Sequence, residues 1–538
     1  MSEELSTDYT ADVVIVGAGS AGCVLANRLS ADPHLSVLLV EAGPADTSPW
    51  IHIPVGYFKT MGHPKLDWRY RTEADPGLNG RSIPWPRGRT LGGSSSINGL
   101  LYVRGQPRDF DRWRQLGNPG WGWDDVLPYF KRSEHWEDGE TEERGGTGPL
   151  CVSRSRLSRQ IVDAWLEAAQ EAGFARNADY NEGDQEGVAQ FQLTMRGGWR
   201  CSSARAYLSA ARLRKNLEIL TDSPIEKLHL ANNRATGLTV LHRGVQKTIC
   251  ARRLVILSAG AIGSPQILMT SGIGPAAHLQ ELSIPVIRDQ PGVGQGLQDH
   301  LQARPVYRCT LPTINTEARS LARKALMAAQ FAVNRTGPMT MAASLGTAFL
   351  KTRPELDTPD IQFHIQPFSA DNPADGPHSF SAFTTSVLQL RPESRGQIRL
   401  KTPHLRDAPA IHPNYLATPI DCQTLVSGIR IARRIARQPA LARHITAEHA
   451  PGPEAEEDDA LLEWARNTAT TIYHPTGTCR MGDGRMCVVD ARLNVHGISN
   501  LKVADASIMP EITSGNTNAP TIMIGEKASD IVLEDLQA

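Results

Sequence analysis

Two continuous apolar runs near the start of the chain, at residues 13–16 and 37–40, predict strands that are buried on both faces, as in a parallel sheet. Between them lies a glycine-rich segment, followed by residues 24–29, whose apolar positions recur at helical spacing. The order strand, turn, helix, strand predicts a βαβ unit within the first 40 residues.

The same pattern predicts further elements along the chain. Apolar or alternating segments predict strands at residues 217–221, 225–230, 235–241 and 254–257, which we expect to form a small antiparallel layer on the first sheet. Mixed patterns with few glycine motifs mark residues 306–464 as a second domain. Its predicted helices are 321–333, 432–437 and 459–468 and its predicted strands 361–365 and 386–390, while further helices are predicted at 156–174 and 522–536.

Length and composition favour an ordered, two-domain protein. A chain of 538 residues is too long for one ordinary core, and 40% hydrophobic with 21% charged residues is typical of a folded chain. A net charge of -1, without a basic block, gives no electrostatic case for nucleic acid or an anionic membrane. No apolar run reaches the roughly 18 residues of a membrane span. The polar, acidic start is unlike a signal peptide, so we expect a cytoplasmic protein.

Cysteine and histidine spacing argues against a metal enzyme. The eight cysteines are scattered without a CxxC pair, and the sixteen histidines include no HExxH motif. We therefore expect neither a structural zinc site nor a disulfide framework.

The segment GAGSAG at residues 17–22 has the glycine spacing of a dinucleotide-binding turn. Gly17 permits the tight turn, Gly19 lets a pyrophosphate approach the backbone, and Gly22 lets helix and strand pack closely. The helix that follows offers N–H groups to the phosphates. Glu41, at the end of the second strand, is placed to accept hydrogen bonds from ribose hydroxyls.

A second small-residue loop, GGSSSIN at residues 92–98, indicates another place where backbone lies close to a ligand. Arg87 and Arg89 precede it and offer positive charge to a phosphate or an electron-rich ring. Taken alone, the loop is equally consistent with a serine-rich surface turn. Beside the dinucleotide turn it favours FAD over a nicotinamide cofactor, because extended FAD requires contacts along its whole length.

The last quarter of the chain holds the candidate chemistry. In YHPTGT, His474 lies between Tyr473 and a proline that restrains the backbone. Farther on, a predicted strand ends in Asp505, and the segment SGNTNAPT leads into the final helix. A single histidine among sixteen is more often structural, so the case for His474 depends on this asparagine-rich helix entrance.

These segments resemble the glucose–methanol–choline family of FAD oxidoreductases over nearly the full length. The matching motifs are VVIVGAGSAGCVLANRLS, GRTLGGSSSINGLLYVRG, GAIGSPQILMTSGIG, YHPTGTCRMG, and VADASIMP followed by SGNTNAPTIMIGEKASD. The resemblance implies a mixed α/β protein: a Rossmann-like FAD-binding domain from residues 10–155, 210–305 and 465–538, plus a substrate-binding domain from residues 156–209 and 306–464. The second domain would hold an antiparallel sheet flanked by helices.

The resemblance also implies roles for individual residues. His474 would be the active-site histidine, Asn518 the second catalytic position, and Tyr473 a wall of the substrate pocket. The residues implied to contact FAD are Gly17, Gly19, Ser20, Ala21, Gly22, Glu41, Ala42, Arg89, Gly92, Gly93, Ser94, Asn98, Gly99, Leu100, Ile225, Ala259, Asp505, Ala506, Asn518 and Thr521. Some family members attach FAD through a histidine after the double glycine. Ile97 stands at that place here, which predicts noncovalent FAD.

The implied reaction is oxidation of an alcohol, with His474 as general base and hydride passing to FAD. Electrons would leave to a separate acceptor such as a quinone, as in the bacterial choline, aliphatic-alcohol and sorbose dehydrogenases. The alternatives are an oxidase that returns electrons to O₂ and a non-redox lyase of the hydroxynitrile type. A carboxylate that would hold a choline ammonium is not identifiable in residues 306–370, so choline, aliphatic alcohols, polyols and polyether alcohols stay open. Monomer or dimer, and peripheral membrane association, also stay open.

Overall fold

The computed structural model of the protein describes residues 7–371 and 376–537. The strand predicted at residues 13–16 is part of the strand Tyr9–Val16, which lies inside a seven-stranded sheet. It pairs in parallel with its neighbours on both sides, and residues 13–15 are fully buried, as expected for a strand covered on both faces. The strand order is Leu217–Leu220, Val37–Val40, Tyr9–Val16, Val245–Leu257, Arg234–His242 and Ile225–Ala231, with Leu501–Val503 beside the second half of Val245–Leu257.

The predicted antiparallel layer is a continuation of this sheet. Val245–Leu257 is 13 residues long, so its first half pairs antiparallel with Arg234–His242 and its second half pairs in parallel with Leu501–Val503. Ile225–Ala231 completes the antiparallel edge. Leu217–Leu220 was expected in that layer, but it lies at the opposite edge, in parallel with Val37–Val40.

A second, eight-stranded sheet is antiparallel throughout. Its strands in order are Ile445–Ala450, Val306–Cys309, Ala382–Gln389, Ile361–Gln366, Gly346–Leu350 and Gly187–Gln190. Leu301–Ala303 also pairs with Ala382–Gln389, and Thr470–Thr471 pairs with Leu301–Ala303. The helices Pro419–Ala436 and Gln160–Glu171 pack on it. Gly428 permits the close approach, since a Cβ there would lie 2.6 Å from Val387. The two sheets with their helices confirm the predicted mixed α/β class.

The domain boundaries stay a prediction. Leu301–Ala303 and Thr470–Thr471 join the second sheet, although both were placed in segments of the FAD-binding domain. These two short strands therefore connect the regions at the point where His474 follows.

The helices are Ser20–Leu29, Pro49–His52, Tyr57–Thr60, Pro107–Gln115, Trp123–Ser133, Gln160–Glu171, Ser209–Ala211, Gly260–Thr270, Ala276–Glu281, Ile314–Glu317, Leu321–Asn334, Pro419–Ala436, Pro439–Ala442, Asp458–Thr468 and Asn518–Gln537. The remaining strands are Tyr70–Arg71, Pro84–Trp85, Glu134–Trp136, Leu150–Arg154, Gln192–Leu193, Met195–Arg196, Trp199–Arg200, Ile273–Gly274, Arg288–Asp289, Gln295–Leu297, Gly396–Arg399 and Ala410–His412. Within residues 7–371 and 376–537, no helix combines the length and apolar character needed to cross a bilayer.

The final helix, Asn518–Gln537, packs against the first, Ser20–Leu29. Its buried Glu526 accepts hydrogen bonds from Arg28 and Arg132, at 2.8 Å, and from the Tyr207 hydroxyl. The Glu526 carboxylate is fully buried, whereas Arg28 and Arg132 are partly exposed, so the two arginines supply the charge that a buried carboxylate requires. This cluster joins the two ends of the described chain beside the nucleotide-type turn.

Candidate active site

A cavity of about 730 Å³ runs from the carboxyl ends of the parallel strands to the second sheet. This is the size of a site that encloses a large organic ligand. Of the residues predicted to contact a cofactor or substrate, those lining it are Gly17, Gly19, Ser20, Ala21, Glu41, Ala42, Arg89, Gly93, Ser94, Asn98, Gly99, Ile225, Ala259, Tyr473, His474, Asp505, Ala506, Asn518 and Thr521. We call the part around Gly19, Glu41, Ile225 and Asp505 the dinucleotide end.

The predicted turn at the dinucleotide end has the conformation that its glycines permit. Gly17 has φ +101°, and a Cβ there would lie 2.5 Å from the carbonyl oxygen of Ser258. A Cβ on Gly22 would lie 1.9 Å from the Gly17 oxygen, so Gly22 does not line the cavity but lets helix Ser20–Leu29 pack against the strand. Any larger residue at either position displaces the backbone.

Gly19 is placed differently, because its missing side chain leaves space in the cavity. A Cβ there would have only the Ser258 oxygen, at 3.7 Å, within 4 Å. Gly19 is also the N-cap of helix Ser20–Leu29, and no side chain caps that helix end. An anion such as a pyrophosphate fits this position, since it would meet helix N–H groups and the positive end of the helix dipole.

The second loop touches the first through a pair of glycines. A Cβ on Gly93 would lie 2.7 Å from the Cα of Gly19. Gly92, with φ +88°, and Leu100, with φ +66°, do not line the cavity and instead shape the loop on either side of Gly93 and Asn98. The sequence predicts that the backbone of this loop lies close to a ligand, and the structure shows that it also lies close to the backbone of the first glycine turn.

Glu41 lies where a ribose would be held. Its Oε2 accepts from the Ala18 N–H and its Oε1 from the Gly43 N–H, both at 2.9 Å. Burial raises the pKa of the Glu41 carboxyl to about 7, although these two N–H groups oppose the shift. Each carboxylate oxygen retains a second lone pair, so further donors such as ribose hydroxyls fit here.

Asp505 holds the turn that leads into helix Gly260–Thr270 at the cavity wall. Its carboxylate accepts from the Gly260 N–H at 2.8 Å, the Ser264 hydroxyl at 2.6 Å and the Ser507 N–H at 2.8 Å. Helix Gly260–Thr270 therefore begins beside the dinucleotide end. The residues at this end fit a dinucleotide cofactor through backbone groups, helix ends and the acids Glu41 and Asp505.

His474 is buried in the cavity wall within a chain of hydrogen bonds. Its Nδ1 lies 3.0 Å from His300 Nδ1, and its Nε2 lies 3.0 Å from Asn516 Nδ2. His300 Nε2 lies 2.8 Å from the Leu390 carbonyl oxygen.

This chain assigns the proton positions. A carbonyl only accepts, so His300 Nε2 carries the proton and its Nδ1 accepts from His474 Nδ1–H. His474 Nε2 is then the basic nitrogen, turned toward Asn516. Burial lowers the pKa of His474 well below its usual range and that of His300 to about 4, so both rings are neutral at pH 7.

The partner of His474 is Asn516, two residues before the predicted Asn518. The Oδ1 of Asn518 accepts from the Ser20 hydroxyl at 2.7 Å, so that side chain joins the first and last helices. The final helix begins at Asn518, which places Asn518 over the dinucleotide end and leaves Asn516 in the preceding turn, facing His474. The structure therefore places Asn516, and not the predicted Asn518, beside His474.

The turn that presents His474 is strained and firmly held. Tyr473 has φ +73°, a left-handed conformation that is rare for residues other than glycine. Its carbonyl accepts from Arg87 at 2.6 Å, and its N–H donates to the Thr471 hydroxyl at 2.7 Å. The His474 N–H donates to buried Asp299 at 2.6 Å. Adjacent residues Asp299 and His300 thus hold the backbone and the ring of His474, respectively.

Beyond His474 lies the substrate end of the cavity, lined by side chains that sequence reasoning missed. They are Tyr57, Phe58, Met61, Gln302, Arg304, Ala343, His364, Gln366, Phe368 and Ile472. They come from a short helix, separate strands and loops, and no local motif marks them. For Asp299 and His300, the signal in the sequence is the glycine-rich segment PGVGQGLQ that directly precedes them.

A cluster of possible metal ligands lies outside the cavity lining. Asp371, His378 and His449 each offer one atom within 4.8 Å of the others. Residues distant in sequence form it, so spacing alone did not reveal it.

Comparison with known proteins gives a consistent result. Models described as GMC oxidoreductase match residues 11–302 and 392–525. An alcohol dehydrogenase [acceptor] of Pseudomonas putida is 42% identical over 97% of this chain and 95% of its own length. A mitochondrial choline dehydrogenase of Mus musculus is 41% identical over 98% and 89%, respectively. The crystal structure of pyridoxine 4-oxidase from Mesorbium loti superimposes with a TM-score of 0.88 and 34% identity, covering 97% of this chain and 99% of that one.

Proposed function

The chain belongs to the GMC oxidoreductase family, and from that membership we propose that it oxidises an alcohol to an aldehyde or ketone with bound FAD. When bound, FAD supplies the acceptor for the hydride that leaves the alcohol carbon. The relative called alcohol dehydrogenase [acceptor] supports an alcohol substrate and a separate electron acceptor. We propose that this acceptor is quinone-like.

His474 is the general base of this proposal. An alcohol proton is far too weakly acidic to leave at neutral pH, so a base must take it as the carbon is oxidised. The hydrogen-bond chain directs the His474 Nε2 lone pair toward Asn516 and the cavity. A base placed in this way contributes roughly 10²–10⁴-fold to the rate. This single arrangement carries the proposal.

Asn516 stabilises the oxygen that loses its proton. Its Nδ2 is a donor 3.0 Å from the basic nitrogen, so an alkoxide beside His474 Nε2 lies within reach of both groups. Once protonated, His474 donates from Nε2 to the same oxygen, and its Nδ1–H continues to donate to His300 Nδ1.

We propose that FAD is held noncovalently. Ile97 lines the cavity at the position that the resemblance assigns to a flavin-attaching histidine, and its hydrocarbon side chain has no atom for such a bond. Acid precipitation of the yellow enzyme should leave the colour in the supernatant. Colour retained in the pellet would contradict noncovalent binding.

Anaerobic mixing of the purified yellow protein with an alcohol panel tests the function. Bleaching of the flavin absorbance by an alcohol supports the oxidoreductase and excludes the hydroxynitrile-lyase alternative. Peroxide release under air without an added acceptor would favour the oxidase alternative, which the likeness to pyridoxine 4-oxidase keeps open. Colourless protein that does not take up FAD would contradict the proposal. Cytoplasmic location stays a prediction, and the choice between monomer and dimer stays open.

A further inference from the structure

The substrate end of the cavity carries a positive charge without a matching acid. The acids that line the whole cavity, within the described residues, are Glu41 and Asp505, and both lie at the dinucleotide end. Arg304 lines the substrate end, together with the aromatic rings of Tyr57 and Phe368. A guanidinium stays charged at any working pH, so this end is cationic.

Arg304 also lacks a partner across residues 7–371 and 376–537. No hydrogen bond or ion pair joins it to another side chain there, and its Nε is buried without an acceptor. Two of the other cavity-lining arginines are engaged, since Arg87 donates to the Tyr473 carbonyl and Arg406 pairs with Glu226. Arg89 lies over the Trp68 ring, and its Nε is also buried without an acceptor. A buried donor without an acceptor is costly unless a ligand or water supplies one.

The acid whose charge affects Arg304 is Asp371, and it does not lie in the cavity. Asp371 acts on Arg304 only through its charge, does not line the cavity, and is 83% exposed. Its carboxylate lies 3.1 Å from His378 Nε2. Arg304 is therefore left facing the cavity.

The strand geometry relates Arg304 to the base. His300, which holds His474, and Gln302 and Arg304, which line the cavity, alternate along one strand and its extension, so all three share a face. The four residue steps from His300 to Arg304 span about 13 Å of extended backbone. Arg304 therefore lies farther along the same wall than the residue that holds His474. Gln302 Oε1 and His364 Nε2 are further buried polar atoms in this wall without partners in the described chain.

We propose that the substrate is an alcohol with an anionic group, such as a carboxylate, at the end opposite its hydroxyl, and that Arg304 binds this group and disfavours cationic alcohols such as choline. This inference rests on the proposed function. Arg304 sets specificity: a charge-assisted pair forms with the anion, whereas a quaternary ammonium meets a like charge in a desolvated site. The preference would separate this chain from its 41% identical choline dehydrogenase relative.

The test compares 6-hydroxyhexanoate, hexan-1-ol and (6-hydroxyhexyl)trimethylammonium in anaerobic flavin bleaching, with 4-(hydroxymethyl)benzoate and benzyl alcohol as a second matched pair. The holoenzyme should reduce fastest, per unit concentration, with the anion of each set. Arg304→Gln should lower kcat/KM for the anions about 10- to 100-fold and leave the neutral alcohols within about threefold. Arg304→Lys should restore part of the loss.

The matched control is Arg308→Gln, which removes the same charge from the neighbouring strand outside the cavity, where Arg308 lies 4.0 Å above the Phe380 ring. It should not change the anion-to-neutral ratio. Flavin spectral shifts on titration with hexanoate or benzoate give a readout that needs no turnover. The inference would be overturned if neutral or cationic alcohols reduced the flavin as fast as the anions, or if Arg304→Gln left the anion-to-neutral ratio of kcat/KM unchanged. It would also be overturned if neither carboxylate shifted the flavin spectrum. Bleaching by no alcohol at all would instead contradict the proposed function.

Discussion

The two ends of the cavity are built in different ways. At the dinucleotide end, the wall consists of turns with little or no side chain, three helix starts and two acids, and most of these features come from short contiguous motifs. At the substrate end, side chains from several strands and loops converge, and His474 depends on residues 174 positions earlier in the chain. A cofactor site made of backbone tolerates few substitutions, whereas a substrate site made of side chains is free to change.

The largest expected effect comes from a substitution that disrupts the dinucleotide end and leaves the substrate end intact. Gly19→Val would fill the space beside the helix N-terminus where a pyrophosphate fits, so we expect colourless protein with FAD affinity reduced more than about 100-fold. The flavin-to-protein absorbance ratio after purification and FAD titration measures this. Gly484→Val, in an exposed loop, is the matched control and should stay yellow. Normal FAD content in Gly19→Val would refute the assignment of this turn.

The converse change disables the chemistry and leaves the cofactor in place. His474→Ala should purify yellow, yet its anaerobic reduction by substrate should slow roughly 10²- to 10⁴-fold, because the alcohol proton has no acceptor. Stopped-flow absorbance measures the rate. His496→Ala, which removes a half-buried imidazole outside the cavity lining, is the control. A near wild-type rate in His474→Ala would exclude His474 as the base.

A smaller effect would show how the strands position the base. His300→Phe removes the acceptor of His474 Nδ1–H and should lower kcat about 10- to 100-fold, with the acid limb of the pH profile displaced. His300→Gln offers an amide oxygen to the same proton, so it should recover much of the loss. Equal loss in both variants, with an unchanged pH profile, would show that His300 serves only packing.

The smallest effect concerns the pH dependence of the dinucleotide end. Burial holds the pKa of Glu41 at about 7, against an ordinary value of 4.5, so between these values the folded apoprotein binds more protons than the unfolded chain. Its stability should therefore fall as pH rises from 4.5 to 7. The Tm of the wild-type apoprotein minus that of Glu41→Gln should drop by a few degrees across this window. A difference that is flat or rises with pH would contradict the raised pKa.

The two ends of the cavity also differ in how far their residues can be predicted from the sequence. Gly17, Gly19 and Glu41 are predictable because a backbone conformation that requires glycine is written in a few adjacent residues. The choice between Asn516 and Asn518 depends on the residue at which the final helix begins, and helix starts are uncertain by several positions. His300 reaches His474 only because Leu301–Ala303 pairs with Thr470–Thr471, and no local pattern encodes that pairing.

The left-handed Tyr473 has a consequence for anyone who engineers this enzyme. Glycine at this position would relieve a conformational strain of about 1 kcal/mol. It would also remove an aromatic ring from the cavity wall and give the unfolded chain more freedom, so Tyr473→Gly should lower the thermostability. A design rule that puts glycine at every left-handed residue therefore fails at this one.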